Sequence, residues 1–211
     1  MAIMSSPSVI IVGNGGSLLG SGLGPFIDSH AVVVRFNLFR TGPFAADVGT
    51  RTSVWFNNRD AHPPQIAAML KRHVFDRIHI HTWTRTGEAA QSFRDALKRL
   101  DRATPVLEVP KTVIDDMQAC LGAPYRMFST GAIGTWMMLR EHDHVTLTGF
   151  DWWQPQPATP FHYGDSQTFT HHPAQGHQPA LEEQLFRKLE AAGRLRFHAA
   201  GVAPKNEAAG L

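Results

Sequence analysis

Four of the chain's twelve histidines fall within one short stretch, at His162, His171, His172 and His177. An imidazole titrates near neutrality, so such groups can take a proton from a hydroxyl or donate one to a leaving group. The same residues could ligate a metal, although their spacing matches neither HExxH nor His-x-His. A solvated polar loop would use the same composition, and composition leaves the three readings open. A second constellation lies near the N-terminus, where an apolar run leads into Gly13-Asn14-Gly15-Gly16-Ser17 and then Gly20, Gly22 and Gly24. A glycine-rich turn between strand and helix lets backbone N–H groups approach a phosphate, which suits a nucleotide or nucleotide-sugar. It is not a dinucleotide fingerprint. Leu18 stands where the third glycine of GxGxxG belongs, and the next apolar run ends in Arg35-Phe36-Asn37 without an acid. Nor is it a P-loop, because no Gly-Lys-Ser/Thr follows. The alternative is a turn that binds nothing. Asn37 offers an acceptor and two donors to a base, ribose or phosphate, or satisfies local backbone. Ser129-Thr130-Gly131 opens a helical stretch, either as an ordinary N-cap or as an anion site at the helix N-terminus. Spacing leaves both open.

The elements that must hold these residues read as an α/β sandwich, with short apolar runs alternating with amphipathic stretches. Strands are expected over residues 8–12, 31–36, 52–56, 77–81, 104–109, 144–148 and 195–198. Helices are expected over 64–73, 87–100, 113–121, 131–142 and 179–192. Residues 151–176 show no sustained period and contain Pro155, Pro157, Pro160 and Pro173. Their aromatic content (Trp152, Trp153, Phe161, Tyr163) argues for an active-site loop over a linker. The expectation is one domain over 1–198, followed by a C-terminal tail over 199–211.

Composition removes several function classes. The chain has 211 residues, 43% hydrophobic, with 20 Lys+Arg against 18 Asp+Glu. That supports a folded core and argues against a disordered chain. The longest basic run, Lys71-Arg72-His73, is too short for a nucleic-acid surface. The lone Cys120 excludes an intrachain disulfide and a Cys-rich zinc site. No stretch approaches a membrane span, and the N-terminal residues carry no basic signal-peptide region.

One resemblance connects these features. Val12-Gly13-Asn14-Gly15-Gly16-Ser17-Leu18, continued by Gly20-Ser21-Gly22-Leu23-Gly24-Pro25-Phe26-Ile27-Asp28-Ser29-His30 and closed by Arg35-Phe36-Asn37, is similar to the large sialyl motif. That motif, approximately VGNSGNLxGSGxGxxIDxHxxVxRxN, belongs to glycosyltransferase family 29, the eukaryotic-type sialyltransferases. Asp47-Val48-Gly49-Thr50-Arg51-Thr52 resembles the DVGxKT-like stretch that follows it. Ser129-Thr130-Gly131 and Val145-Thr146-Leu147-Thr148-Gly149-Phe150 resemble the two ends of the small motif. His162-Tyr163-Gly164-Asp165 resembles the HYYE-type third motif, with Gly164 where tyrosine is usual. His177-Gln178-Pro179-Ala180-Leu181-Glu182 is similar to the H-x4-E very small motif.

The resemblance implies a Rossmann-like α/β/α sandwich of the GT-A-related sialyltransferase type, using a CMP-activated acidic sugar and inverting without a metal or cofactor. Asn14 and Asn37 would contact the CMP phosphate and nucleotide, with Gly15 and Ser17 of the same turn in the nucleotide-binding set. Ser129, Thr130, Gly131, Gly149 and Phe150 would line the cytidine and phosphate pocket. His162 would hydrogen-bond the leaving phosphate, and His177 would be the general base on the acceptor hydroxyl. Glu182 would either orient that imidazole or cap its helix. Animal members join the large and small motifs by a disulfide; neither motif here holds a cysteine. They also carry a membrane anchor and stem, which this sequence does not show. The expectation is therefore a compact bacterial relative in the cytoplasm or peripheral at the inner membrane, moving sialic acid or Kdo to a glycan or lipid-linked acceptor. The rivals are a CMP-sugar hydrolase, a non-catalytic CMP-binding module and a zinc protein built on the histidine cluster.

Overall fold

VIIV at Val9–Val12 is apolar at every position, which demands burial on both faces of a sheet. In the computed structural model, which describes residues 7–58, 63–81, 86–152, 162 and 177–198, this segment is the centre of a parallel sheet. The strands are β1 (Val9–Val12), β2 (Val32–Phe36), β3 (Val54–Asn57), β4 (Arg77–Ile80), β5 (Val106–Glu108), β6 (Val145–Thr148) and β7 (Leu195–Phe197). They run in the order β5-β4-β3-β2-β1-β6-β7, every neighbouring pair parallel. The helices are α1 (Gly24–Asp28), α2 (Ala45–Val48), α3 (Pro63–Arg72), α4 (Thr86–Arg99), α5 (Thr112–Leu121), α6 (Thr130–Glu141) and α7 (Pro179–Ala191).

Period-2 alternation divides each strand between two cores. Val9 and Ile11 of β1, Val34 and Phe36 of β2, and Val54 and Phe56 of β3 pack with residues of α5, α6 and α7. Ile10, Val12 and Val33 point the other way, into a core shared with Ile27 and Val48. On that same face Trp55, Ile78 and Ile80 pack with α3 and α4. Helices therefore cover both faces. The arrangement follows from chain order: from β1 to β5 the strands step one way, and after β5 the chain returns to place β6 on the other side of β1. Right-handed crossovers in both directions require the connecting helices to change faces. The reversal makes the crevice between the carboxyl ends of β1 and β6 the topological switch point, where ligands bind in open α/β sheets.

All seven expected strands and five expected helices occur, with ends displaced by one or two residues. The short α1 and α2 had no periodic signature; at five and four residues they are too short to display one. The segment 153–161, the segment 163–176 and the tail from 199 lie outside the described residues.

His79 on β4 has an energetic consequence. It is 2% exposed, its ring stacks on Phe56 at 4.5 Å, and neither ring nitrogen has a hydrogen-bond partner among the described residues. Burial, reinforced by the Arg77 guanidinium, pulls its pKa down to about 4, and burial does the same to His81. Folded, both stay neutral through the pH window from about 6.5 down to about 4, while the unfolded chain takes up protons there. Stability must therefore fall as pH is lowered through that window. Urea unfolding at pH 7 and pH 5 should differ by up to about 2 kcal/mol for each histidine. His79→Leu should shrink that difference by about 1–2 kcal/mol; an unchanged pH dependence would refute the assignment.

Candidate active site at the switch point

The loops leaving β1 and β6 are held in direct contact. Gly13 N–H donates to the Thr148 carbonyl at 2.8 Å, and Gly15 N–H to the Gly149 carbonyl at 3.0 Å. A Cβ on Gly13 would lie 2.1 Å from the Gly149 oxygen, and Gly149 itself has a φ of +69°. Only glycine fits at both positions. Asn14 is thereby set on the crevice, half-buried, with Nδ2 donating to the Phe36 carbonyl at 3.3 Å. Asn37 follows β2 with φ 49°, its Oδ1 accepting the Asn58 N–H at 3.2 Å and its carbonyl accepting Trp55 Nε1–H at 2.8 Å.

Carboxylates brace the glycine-rich turn. Asp151, directly after Gly149-Phe150, accepts the Ser17 N–H at 2.9 Å and the Ser17 hydroxyl. Ser17, expected to bind nucleotide, instead directs both of its donors at Asp151. Asp47 accepts the N–H groups of Gly20 and Gly22, each at 2.9 Å. Asp28 accepts from Thr50 and Arg51. Arg35 is buried; its Nε donates to the Arg51 carbonyl and Thr52 hydroxyl and its terminal nitrogen to the Val48 carbonyl. Burial, partly countered by Asp28, pulls its pKa down to about 10. Much of the large-motif resemblance thus rests on residues that tie loops together.

The N-terminus of α6 lies under the same crevice. Ser129 is its N-cap, with Oγ accepting the Ala132 N–H at 3.1 Å. Thr130 is 3% exposed and its hydroxyl has no partner among the described residues. Phe150 covers Gly131, where a Cβ would meet its ring at 3.1 Å, and is set among Phe36, Trp152 and Phe186. Glu182, 2% exposed on α7, reaches across to Ser129: Oε1 accepts the N–H at 2.6 Å, and Oε2 lies 2.7 Å from the hydroxyl oxygen. The sequence offers Glu182 two roles, orienting the His177 imidazole or capping its helix; its side chain also braces the start of α6. Among the described residues its side-chain hydrogen bonds run to the cap of α6 and to Tyr125. Burial raises its pKa against the opposing pull of Ser129, His177 and Tyr125.

The two histidines sit differently. His162 is 2% exposed; its Nδ1 lies 3.3 Å from the Asn14 carbonyl and its Nε2 2.9 Å from the Arg40 carbonyl. Burial lowers its pKa despite those carbonyls. As a neutral ring it can donate to only one of them. His177 is half-exposed, with Nδ1 2.5 Å from the Met127 carbonyl. A carbonyl can only accept, so the neutral ring carries its proton on Nδ1 and its lone pair on Nε2.

Contacts link nearly every expected site residue: His162 to Asn14, Asn14 to the end of β2, Gly15 to Gly149, Phe150 to Gly131, Ser129 to Glu182. His177 joins through Met127, two residues before Ser129. Tyr163, Gly164, Asp165, His171 and His172 lie outside the described residues. The sequence did not expose Asp151, Asp47 or Tyr125 as members of the site. Their partners are far away in the chain, and only the adjacency of β1 and β6 makes Asp151 a neighbour of Ser17.

A family model described as glycosyltransferase family 29 (sialyltransferase) matches residues 7–194. Sialyltransferase-like protein 2 of Oryza sativa subsp. indica is 58% identical over 48 residues, 23% of this chain and 12% of that protein. The human CMP-N-acetylneuraminate-beta-1,4-galactoside alpha-2,3-sialyltransferase is 24% identical over 221 residues, covering 92% of this chain and 57% of that protein. The crystal structure of a mammalian sialyltransferase matches in fold with a TM-score of 0.62 at 22% identity, over 92% of this chain and 69% of the other. The chain thus spans less than two thirds of the length of either sequence relative.

The Asp151–Ser17 pairing predicts a coupled stability loss. Asp151→Ala should cost about 2 kcal/mol by removing two hydrogen bonds to a charged acceptor, lowering Tm by roughly 4–8 °C at this size. Ser17→Ala should cost about 1 kcal/mol, because the backbone N–H still reaches the carboxylate. The double variant should resemble Asp151→Ala alone; strictly additive losses would show that the pair does not brace the turn.

Proposed function

This chain belongs to glycosyltransferase family 29, the sialyltransferase family, and from that premise we propose that it transfers an acidic ulosonic sugar from a CMP donor to a glycan hydroxyl. The donor sugar is sialic acid or Kdo, the anomeric carbon inverts, no metal is required, and His177 is the general base. The observation that carries the reading is the convergence of two features at one crevice. An anion seat at the N-terminus of α6 stands beside a histidine whose Nδ1 is held on the Met127 carbonyl. The human relative's name, which specifies CMP-N-acetylneuraminate, supports the choice of nucleotide.

From a CMP-sugar the leaving group is CMP, a single phosphate monoester, with no diphosphate for a divalent cation to clamp. The positive end of the 12-residue α6, its first amides, the Thr130 hydroxyl and the Asn14 amide suit that charge. Gly149 and Phe150 would bound the cytidine, and Asn37 would take the ribose or base. In the transfer step the acceptor oxygen attacks the anomeric carbon while its proton passes to His177 Nε2. The bond to the phosphate oxygen breaks on the opposite side, and CMP departs with the electron pair. His162 would turn an N–H from a backbone carbonyl toward that phosphate.

The bacterial, cytoplasmic setting expected from the sequence has no counterpart in the two sequence relatives, which come from rice and human. Among the described residues no helix is long and apolar enough to cross a membrane.

His177→Ala should reduce transfer at least about 1,000-fold while leaving the CMP Kd within about threefold, because a base acts only in the transition state. Asn14→Ala and Thr130→Ala should each weaken CMP by about 5- to 20-fold, the loss of one hydrogen bond to a charged group. EDTA should leave transfer unchanged. Assays with CMP-sialic acid and CMP-Kdo, with and without glycan, separate the rival: release of free sugar at a rate indifferent to glycan would mark a hydrolase. Normal transfer by His177→Ala would overturn the assignment of the base.

A further inference from the structure

At the amino ends of β3 and β4, the opposite end of the sheet from the crevice, lies an open cavity of about 300 Å³. Its lining comes from residues 50–53, which lead into β3, and from residues 72–74 with Asp76, which connect α3 to β4. Small-molecule sites begin at about this volume. The basic run Lys71-Arg72-His73, too short to hold a nucleic acid, thus places two of its residues around one small cavity.

The lining is built on fixed backbone. Asp28 accepts the N–H groups of Thr50 and Arg51, each at 2.9 Å, and the Ser53 carbonyl accepts the Asp76 N–H at 2.8 Å. Arg51 Nη1 donates to the carbonyls of Asp28 and His30 at 2.7 and 2.6 Å, which holds its guanidinium in place. Arg102 donates to the carbonyls of Leu70 and His73 and so covers the negative end of α3, which would otherwise repel an anion. The half-buried His73 ring packs against Phe39 at 4.8 Å and Phe75 at 6.0 Å. Neither that imidazole nor the exposed Arg72 guanidinium has a hydrogen-bond or ion-pair partner among the described residues. The lining therefore sets two guanidiniums against one carboxylate, Asp76. Val74, at 73% exposure, stands beside them as an apolar side chain left almost wholly in solvent.

We propose that this cavity is a second anion site, separate from the transfer crevice, in which Arg51, Arg72 and His73 seat a single phosphate group. A guanidinium fork matches two phosphate oxygens, and an imidazole beside it adds a third donor. Two sources carry that chemistry: a soluble phosphate ester, or the headgroup of an anionic lipid, against which Val74 would meet the apolar edge of the bilayer. Burial, reinforced by the Arg35 and Arg72 charges, lowers the His73 pKa, so the ring is neutral at pH 7. A bound anion favours its protonated form and gains a second N–H in return. The charged groups around His73 are Arg35 of β2, Arg51 before β3, Arg72 of α3, Asp76 before β4 and Arg102 after α4. This inference does not depend on the proposed function.

Nitrogen–proton correlation spectra of the full chain, titrated with sodium sulfate at low ionic strength, test the seat without an enzymatic assay. Sulfate stays a dianion between pH 6 and pH 8, so any pH dependence belongs to the protein. The amides of Arg72, His73 and Val74 should shift saturably, with a Kd on the order of 1–10 mM. Shifts confined to Thr130 and Gly131, at the other end of the sheet, would overturn the proposal. Affinity should rise about three- to tenfold from pH 8 to pH 6, and His73→Gln should flatten that rise. Arg72→Ala, a change at an exposed side chain, should keep Tm within about 2 °C and weaken sulfate about 5- to 10-fold. Unchanged affinity in that variant overturns the seat. Inorganic phosphate should compete with sulfate at the same amides. Sedimentation with phosphatidylcholine vesicles, with and without about 30% phosphatidylglycerol, identifies the source. Retention on the anionic vesicles alone, lost in Arg72→Ala and weakened in Val74→Ser, supports a lipid headgroup. No retention beside saturable sulfate binding supports a soluble phosphate ester.

Discussion

The contact on which the rest of the site depends is the one between Gly13 and Gly149. Chain order places β1 and β6 side by side, but adjacency alone would leave two loops diverging above the sheet. The absence of a side chain at Gly13, 2.1 Å from where a carbonyl oxygen would block it, lets the loops run together for two further hydrogen bonds. Three placements follow. Asn14 is turned onto the crevice, Phe150 is laid over the start of α6, and Asp151 is brought against Ser17. Each belongs to a different loop or helix, yet each inherits its position from the same backbone approach. A methyl group there would disturb the binding face and the brace of the glycine-rich turn together.

The resemblance that runs through the first fifty residues mixes two kinds of residue. Asp28, Arg35, Asp47 and Arg51 bind backbone groups of neighbouring loops. Gly13, Asn14 and Asn37 sit at the crevice itself. A charged side chain satisfies many loop N–H or carbonyl groups at once, which is how long irregular connections become rigid without a regular ladder. Rigid loops matter here because the proposed anion seat consists of backbone amides and a helix end, and these act only where the fold holds them.

The strands and the longer helices were legible because their information is local. VIIV, RIHI and the period of 179–192 declare burial without reference to any other segment. The crevice was legible only through the family resemblance; glycine, asparagine and serine at strand ends left the binding and non-binding readings open. What escaped was pairing across the fold. Glu182 reads from its spacing either as an orienter of the histidine five residues before it or as a cap of its own helix, because those are the partners close to it in the chain. The structure sends it instead 53 residues back to Ser129. Asp151 likewise looked like the first residue of a loop, although its carboxylate belongs to a turn 134 residues earlier. His79 alternated correctly into the sheet, but nothing local announced that both its nitrogens would be buried without partners among the described residues.

The crevice residues described here include no lysine or arginine side chain, a notable choice for a site proposed to receive a phosphate. Arg35 is a buried cation whose hydrogen bonds, among the described residues, run to the carbonyls of Val48 and Arg51 and the hydroxyl of Thr52. Its influence extends to His162, where it opposes protonation. The Asp28 carboxylate offsets part of that charge, and the buried surroundings screen the remainder weakly. Together with the positive end of α6, it biases the region toward an anion without competing for the ligand's hydrogen-bonding geometry. The same field favours the neutral imidazole at His162. A neutral His162 has a single N–H to give, which only one of the two carbonyls beside its ring can accept.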